Sequence, residues 1–270
     1  MQIFLSVTPG EARAAAPYHQ TPAHVAYRIG SGSTLLRAGL LLETRGGLLC
    51  VSDREAPAIE APAALCQAVL RECAARNISP APVEDVCNVL FWMQQHSEEY
   101  YIDLNNVFTV GDSAGGQINF QLMTMLTNPE YAKLFPFPVP EDFTVRGCGM
   151  NCGCYFLPFS RLLKPKTMGP LFEAYFPEDY LPLIPQFKAQ KFITKDFPPA
   201  FVMSAQNDYL RFMAAPLHRI LKKKGVESIL KIYGTKAQKE IGHVFHLNCH
   251  SELADQCNDE QTAFFKAHIQ

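Results

Sequence analysis

The chain has 270 residues, 48% of them hydrophobic and 19% charged, with a formal net charge of −2 and a pI near 6.4. That suits one large α/β domain or two small ones, with ample apolar material for a core. There is no basic field to hold a polyanion and no apolar run of about 18 residues, so neither a nucleic-acid partner nor a membrane span is expected.

The opening segment Met1-Gln2-Ile3-Phe4-Leu5 lacks a basic lead and is too short for a signal peptide, and Gln2 to Val7 reads as a strand. Ala38 to Glu43 and Leu48 to Ser52 are short apolar runs around Thr44-Arg45-Gly46-Gly47, a turn between strands. Pro62 to Arg76 carries an apolar helical face through Leu65, Ala68, Val69, Leu70 and Cys73, and Asn77 is its stop. From Pro82 a second helix places Val83, Val86, Cys87, Leu90, Phe91 and Met93 on one side. Asn105-Asn106 makes a turn, Val107 to Val110 a buried strand, Gly111 to Gly116 a sharp bend, and Gln117 to Thr127 a helix stopped before Pro129. Phe143 to Phe156 reads as a central strand. Residues 157–198 are rich in Pro, Phe and Lys with weak periodicity and read as a cap-like insertion. Phe201 to Ala205 is a strand ending at Gln206-Asn207-Asp208. Phe212 to Lys224 is a helix stopped by Gly225, Ser228 to Tyr233 a strand, and Thr262 to His268 a closing helix. Strands alternating with helices predict the α/β class, with a mostly parallel sheet covered on both faces.

The character of the chain changes near residue 78, which divides an N-terminal segment, 1–78, from a core, 79–270. Nine cysteines are scattered through the sequence. An odd number in a long chain argues against a secreted disulfide scaffold, so a reducing, cytoplasmic setting is expected. Cys148, Cys152 and Cys154 cluster, with Cys152 and Cys154 on one face of the predicted strand. Their spacing lacks the Cys-x-x-Cys of zinc sites, so they read as small buried hydrophobes and no metal is assigned.

Gly111-Asp112-Ser113-Ala114-Gly115-Gly116 carries the chemistry. A serine hydroxyl needs a base within hydrogen-bond reach and a third group to orient that base. Between a strand and a helix, Gly-x-Ser-x-Gly exposes the serine on a strained turn while the glycines let backbone pass close by. The partners should follow in the order acid, then histidine. Asp208 stands at the carboxyl end of a strand and His243 on a loop after the last strand. The plainer alternatives are a turn-forming or capping role for Asn207 and Asp208, and His246 or His250 in place of His243.

Three segments together resemble the hormone-sensitive-lipase-like esterases of the α/β-hydrolase superfamily: the Gly111–Gly116 bend, Ser204-Ala205-Gln206-Asn207-Asp208-Tyr209-Leu210-Arg211, and Gly242-His243-Val244-Phe245-His246. Pro80-Ala81-Pro82-Val83-Glu84-Asp85-Val86 looks like the family's segment leading into the helix before the elbow. The resemblance runs from about residue 79 to the C-terminus. It implies an α/β-hydrolase fold and an acyl-enzyme mechanism on small or medium carboxylic esters. Ser113 would be nucleophile, His243 general base and then acid, and Asp208 the orienting acid. The Ala114 N–H would serve the oxyanion hole, and no cofactor is implied. The second reading is a catalytically impaired relative that binds a small ligand or partner. A peptidase on the same scaffold and a homodimer are compatible with the sequence.

The departure lies near the N-terminus. Such esterases carry a His-Gly-Gly-Gly-like oxyanion segment, and no His-Gly-Gly occurs here. Gly46 and Gly47 are the nearest candidates, with a plain hairpin turn as the alternative. The family also has a strand and loop where this chain has only Arg76-Asn77-Ile78-Ser79. The sheet is therefore expected to be incomplete or rearranged there, and residues 1–78 to have a different origin. Phe156, Phe159, Phe172 and Phe176, with Tyr175, are candidates to line a substrate pocket under the cap, or to pack only against the core.

Overall fold

The structure is a computed structural model that describes residues 79–156, 175–176, 180–248 and 250–270, together with the backbone of five short strands before them. The chain forms two compact units, Met1–Thr8 with Pro82–Gln270, and Pro9–Ala81. The first eight residues thus belong with the larger unit, where a division at residue 78 would separate them.

β1 (Gln2–Leu5) is part of the larger unit. In the smaller unit β2 (Leu35–Arg37) pairs antiparallel with β5 (Ala58–Glu60), and β3 (Leu41–Thr44) with β4 (Gly47–Cys50). Thr44 stands opposite Gly47, so the two glycine-flanking runs form a hairpin. Gly46 and the helix expected over Pro62 to Arg76 lie outside the described residues.

The larger unit continues with α1 (Ala81–His96), which buries Val83, Cys87, Leu90 and Met93. These recur at helical spacing and make one apolar stripe, while Glu84, Asp85 and Asn88 face water. β6 (Val107–Asp112), α2 (Ala114–Thr127), β7 (Val145–Asn151), β8 (Ala200–Ala205), α3 (Ala214–Lys223), β9 (Ser228–Tyr233) and α4 (Glu252–Lys266) follow. The strands form a five-stranded sheet in the order β1-β6-β7-β8-β9. β6 to β9 are parallel, and β1 lies antiparallel beside β6, with Gln2 opposite Val110 and Leu5 opposite Val107. Beside β6, the edge of the sheet is thus formed by residues from the start of the chain.

Period-two alternation divides the core between the sheet's faces. Val107, Cys148, Met150, Ala200 and Val202 join α1, α2 and α3 in one cluster. Phe108, Val110, Phe201, Met203 and Ala205 join Ala254, Cys257, Phe264 and Phe265 of α4 in the other. β6, β7 and β8 are buried on both faces along most of their length, which explains their near-continuous apolar runs, whereas β9 leaves Ile229 and Ile232 partly exposed.

Several boundaries differ from the sequence reading for local reasons. β7 is shorter than Phe143 to Phe156 because Cys152 takes a φ of 46° and breaks the strand. Cys152 and Cys154 therefore do not share a face; each joins a different core cluster. α3 begins after a 3-10 turn at Arg211–Met213, with Pro216 tolerated in its first turn, and Gly225 closes it at a φ of 80°. α4 starts ten residues before the expected Thr262, because Ala254 and Cys257 extend the stripe of Phe264 and Phe265 among charged neighbours that dilute the signal.

Within the cap-like segment, the 3-10 turns Leu181–Phe187 and Ala189–Lys191 lie against the core. The carbonyl of Gln186 accepts from Gln121 Nε2 at 2.9 Å and from the Tyr131 hydroxyl, and Phe187, Ile193 and Phe197 are buried. Among the described residues no helix is long and apolar enough to cross a membrane.

Candidate active site

The site is assembled at the carboxyl ends of β6, β7 and β8, where a parallel sheet leaves loops free to carry functional groups. Ser113 follows β6 and precedes α2, with φ 55° and ψ −115°, a conformation that L residues rarely adopt. The surroundings over-determine it. Ser113 N–H donates to the Asn151 carbonyl at 3.0 Å, and its own carbonyl accepts from Gly116 N at 3.1 Å and Cys154 N at 3.3 Å. The glycines are sterically required. A Cβ on Gly111 would come within 2.2 Å of the Gly115 carbonyl oxygen, and one on Gly116 within 2.9 Å of Gly153 Cα.

His243 bridges the other two groups. Its Nδ1 lies 2.8 Å from Asp208 Oδ1 and its Nε2 lies 2.8 Å from Ser113 Oγ. Asp208 follows β8, and its side chain is fully buried while that of His243 is 19% exposed. Asp208 Oδ2 accepts from Ser204 Oγ at 2.6 Å, and Oδ1 accepts from Leu210 N at 2.9 Å. Burial, the largest single influence, pushes the Asp208 carboxyl up. Hydrogen bonds from His243, Ser204 and Leu210, with His243 also favouring the anion electrostatically, outweigh it and hold the group below its ordinary value. An ionised Asp208 only accepts, so Nδ1 carries the proton and Nε2 presents its lone pair to the Ser113 hydroxyl. The exposed Tyr209 ring lies against His243, with centroids 4.4 Å apart.

A second aspartate–histidine pair stands behind the bend. His246 Nε2 lies 2.5 Å from Oδ1 of Asp112, the residue before Ser113. His246 is only 5% exposed, and Asn258 Nδ2 donates to its carbonyl at 3.0 Å. Asn151 Nδ2 approaches the same ring nitrogen at 3.4 Å, and Gln261 Nε2 donates to Asn151 Oδ1 at 2.8 Å. His246 had stood as an alternative to His243; the structure gives it Asp112, and gives Ser113 to His243. Neither Asp112 nor Asn151 carries a spacing signal that sequence reading could have used.

Cys152 completes the surroundings. Its thiol, a carboxylate oxygen of Asp208 and a ring nitrogen of His243 lie within 4.8 Å of one another. Burial first, and then Asp208, push the thiol well up from its ordinary value. Cys87, Cys148, Cys152, Cys154 and Cys257 are all free.

Ala114 opens α2, so its N–H belongs to the first turn and has no carbonyl acceptor within the helix. Gly47 is the first residue of β4, in the smaller unit. Of the proposed pocket residues, Phe156 packs against Phe120 and Tyr155, with ring centroids 6.5 and 6.4 Å away. Phe176 packs against Phe187 at 4.8 Å and also meets Tyr175 and Tyr180. Phe159 and Phe172 lie outside the described residues.

A family model for the alpha/beta hydrolase fold matches residues 64–247. Esterase B from Lactobacillus rhamnosis superposes with a TM-score of 0.61 at 20% identity, covering 69% of this chain and 60% of that one. A hyperthermophilic esterase from the archaeon Pyrobaculum calidifontis gives 0.56 at 22% identity, with 70% and 60% covered. A thermophilic carboxylesterase cloned from a metagenomic library gives 0.54 at 20% identity, with 72% and 65% covered. The chain thus spans less than two thirds of the length of these structures. No curated protein matches it.

Proposed function

The chain belongs to the α/β-hydrolase family, and from that premise we propose that it is a serine hydrolase of small or medium carboxylic esters. The observation that carries this reading is the continuous hydrogen-bonded line from Asp208 through His243 to Ser113 Oγ. His243 Nε2 takes the hydroxyl proton as Oγ attacks the ester carbonyl, and Asp208 stabilises the resulting imidazolium. The tetrahedral oxyanion forms near the Ala114 N–H, at the positive end of α2. His243 then passes the proton to the departing alcohol, leaving an acyl-enzyme on Ser113. Water, activated by the same imidazole, hydrolyses it. Every step is a proton or acyl transfer, and the proposed chemistry calls on no cofactor. The esterase names among the structural neighbours support the substrate class.

One observation favours a second reading, a ligand-binding relative with impaired turnover. Thr44 and Gly47 are paired antiparallel, so Gly47 lies in a strand ladder rather than in an oxyanion loop. Loss of one oxyanion donor costs roughly 100- to 1,000-fold in rate. A fluorophosphonate probe and a p-nitrophenyl ester series, run beside Ser113→Ala, separate the two. Labelling and turnover that vanish in the variant are expected. A native chain that neither labels nor turns over above the variant would sink the hydrolase reading.

A further inference from the structure

We propose that Cys152, Asp208 and His243 form a binding site for a zinc-class divalent cation, and that occupancy of this site switches Ser113 off. The inhibitory half rests on the hydrolase reading; the binding half does not.

The donors are the types such a cation selects: a thiolate, an imidazole nitrogen and a carboxylate oxygen. They come from the ends of β7 and β8 and from the loop after β9, and lie within 4.8 Å of one another. Zinc bonds of about 2.0–2.3 Å place neighbouring ligand atoms roughly 3.3–3.8 Å apart at a tetrahedral centre. The present spacings, from 2.8 Å between Nδ1 and Oδ1 up to the 4.8 Å limit, bracket that range. Side-chain adjustments of about 1 Å would suffice.

Charge favours the same conclusion. Cys152 and Asp208 are almost wholly removed from water. A thiolate and a carboxylate contribute two negative charges and the imidazole none, so a divalent cation leaves the buried site neutral. Coordination takes the thiolate form, so cation binding releases the Cys152 proton to solvent.

The consequence for Ser113 follows from tautomers. Nδ1 faces Asp208 and Nε2 faces Ser113. With the cation on Nδ1, the one remaining ring proton sits on Nε2. Nε2 then donates toward Ser113 Oγ and cannot accept its proton, so the nucleophile loses its base without leaving its place. The loop Cys-x-Cys spacing concealed this site, because Cys152 pairs with residues 56 and 91 positions away rather than with its neighbouring cysteines.

The test uses the full, tag-free chain with Zn2+ and Co2+ as probes. Equilibrium dialysis should find one Zn2+ per chain, and Co2+ should give a thiolate-to-metal charge-transfer band. Cys152→Ser should abolish the band and weaken Zn2+ binding by about tenfold or more, whereas Cys154→Ser should keep both. Saturating Zn2+ should slow fluorophosphonate labelling at least about tenfold, with recovery on adding a chelator. In Cys152→Ser and Cys152→Ala, each scaled to its own metal-free rate, inhibition should need about tenfold more Zn2+. Absence of the thiolate band in the native chain, or equal Zn2+ sensitivity in the cysteine variants, overturns the proposal. A chain that shows the band yet never labels, with or without metal, supports the site and overturns the hydrolase reading instead.

Discussion

Two aspartate–histidine pairs flank Ser113, and they differ in what the histidine can still do. In the first, His243 is held by buried Asp208 on one side and offers its other nitrogen, 2.8 Å away, to a hydroxyl at the edge of solvent. In the second, His246 is buried and spends one nitrogen on Asp112, while its Nδ1 has no hydrogen-bond partner among the described residues. Two histidines three positions apart on one loop thus give one ring that bridges a carboxylate and a hydroxyl and one that ties the loop to the strand below it. Neighbourhood, rather than residue identity, separates the roles.

Substitutions can break this contrast. Ser113→Ala should lower kcat by about 10⁵-fold, measured on a p-nitrophenyl ester, because it removes the proposed acyl acceptor. Asp208→Asn should lower kcat by about 10³- to 10⁴-fold while leaving KM nearly unchanged, since the amide no longer fixes the proton on Nδ1. His246→Ala should cost far less in rate, about tenfold, because it only loosens the loop that aims His243. It should also cost about 2 kcal/mol in stability, read by calorimetry, for the lost bond to Asp112. His246→Gln, which keeps a donor, should restore part of both. A loss in His246→Ala as large as that in Asp208→Asn would erase the distinction between the pairs.

The smallest expected effect concerns acid. Folded Asp208 binds its proton less tightly than it does in the unfolded chain, so it stabilises the fold above the ordinary carboxylate value. That contribution drains away as pH falls through the lowered folded value. Asp208→Asn should therefore flatten the fall in melting temperature below roughly pH 4 relative to the native chain. An unchanged acid limb would show that other carboxylates dominate it.

The sequence made the first pair legible and left the second hidden. Ser113, Asp208 and His243 each follow a strand in a fixed order, and glycines punctuate the turn that carries the serine, so local patterns pointed to all three. Asp112 and His246 meet only because the loop after β9 folds back under the bend, and no periodicity encodes that contact. β1 was readable as a strand, but its antiparallel place beside β6 depends on a pairing across more than a hundred residues. The strand-face assignment of Cys152 failed because a single left-handed residue ends the alternation on which such assignments rest.

The contact between Gly116 and Gly153 bears on attempts to engineer the protein. Replacing a helical glycine with alanine is a standard route to thermostability, worth about 1 kcal/mol where the helix surface is free. Gly116 lies within α2 and looks like such an opportunity in the sequence. The added methyl would sit 2.9 Å from the backbone of Gly153 and 3.2 Å from the carbonyl oxygen of Gly111. A library designed from helix propensity alone would therefore choose a substitution that levers α2 away from the end of β7, and with it the turn that holds Ser113.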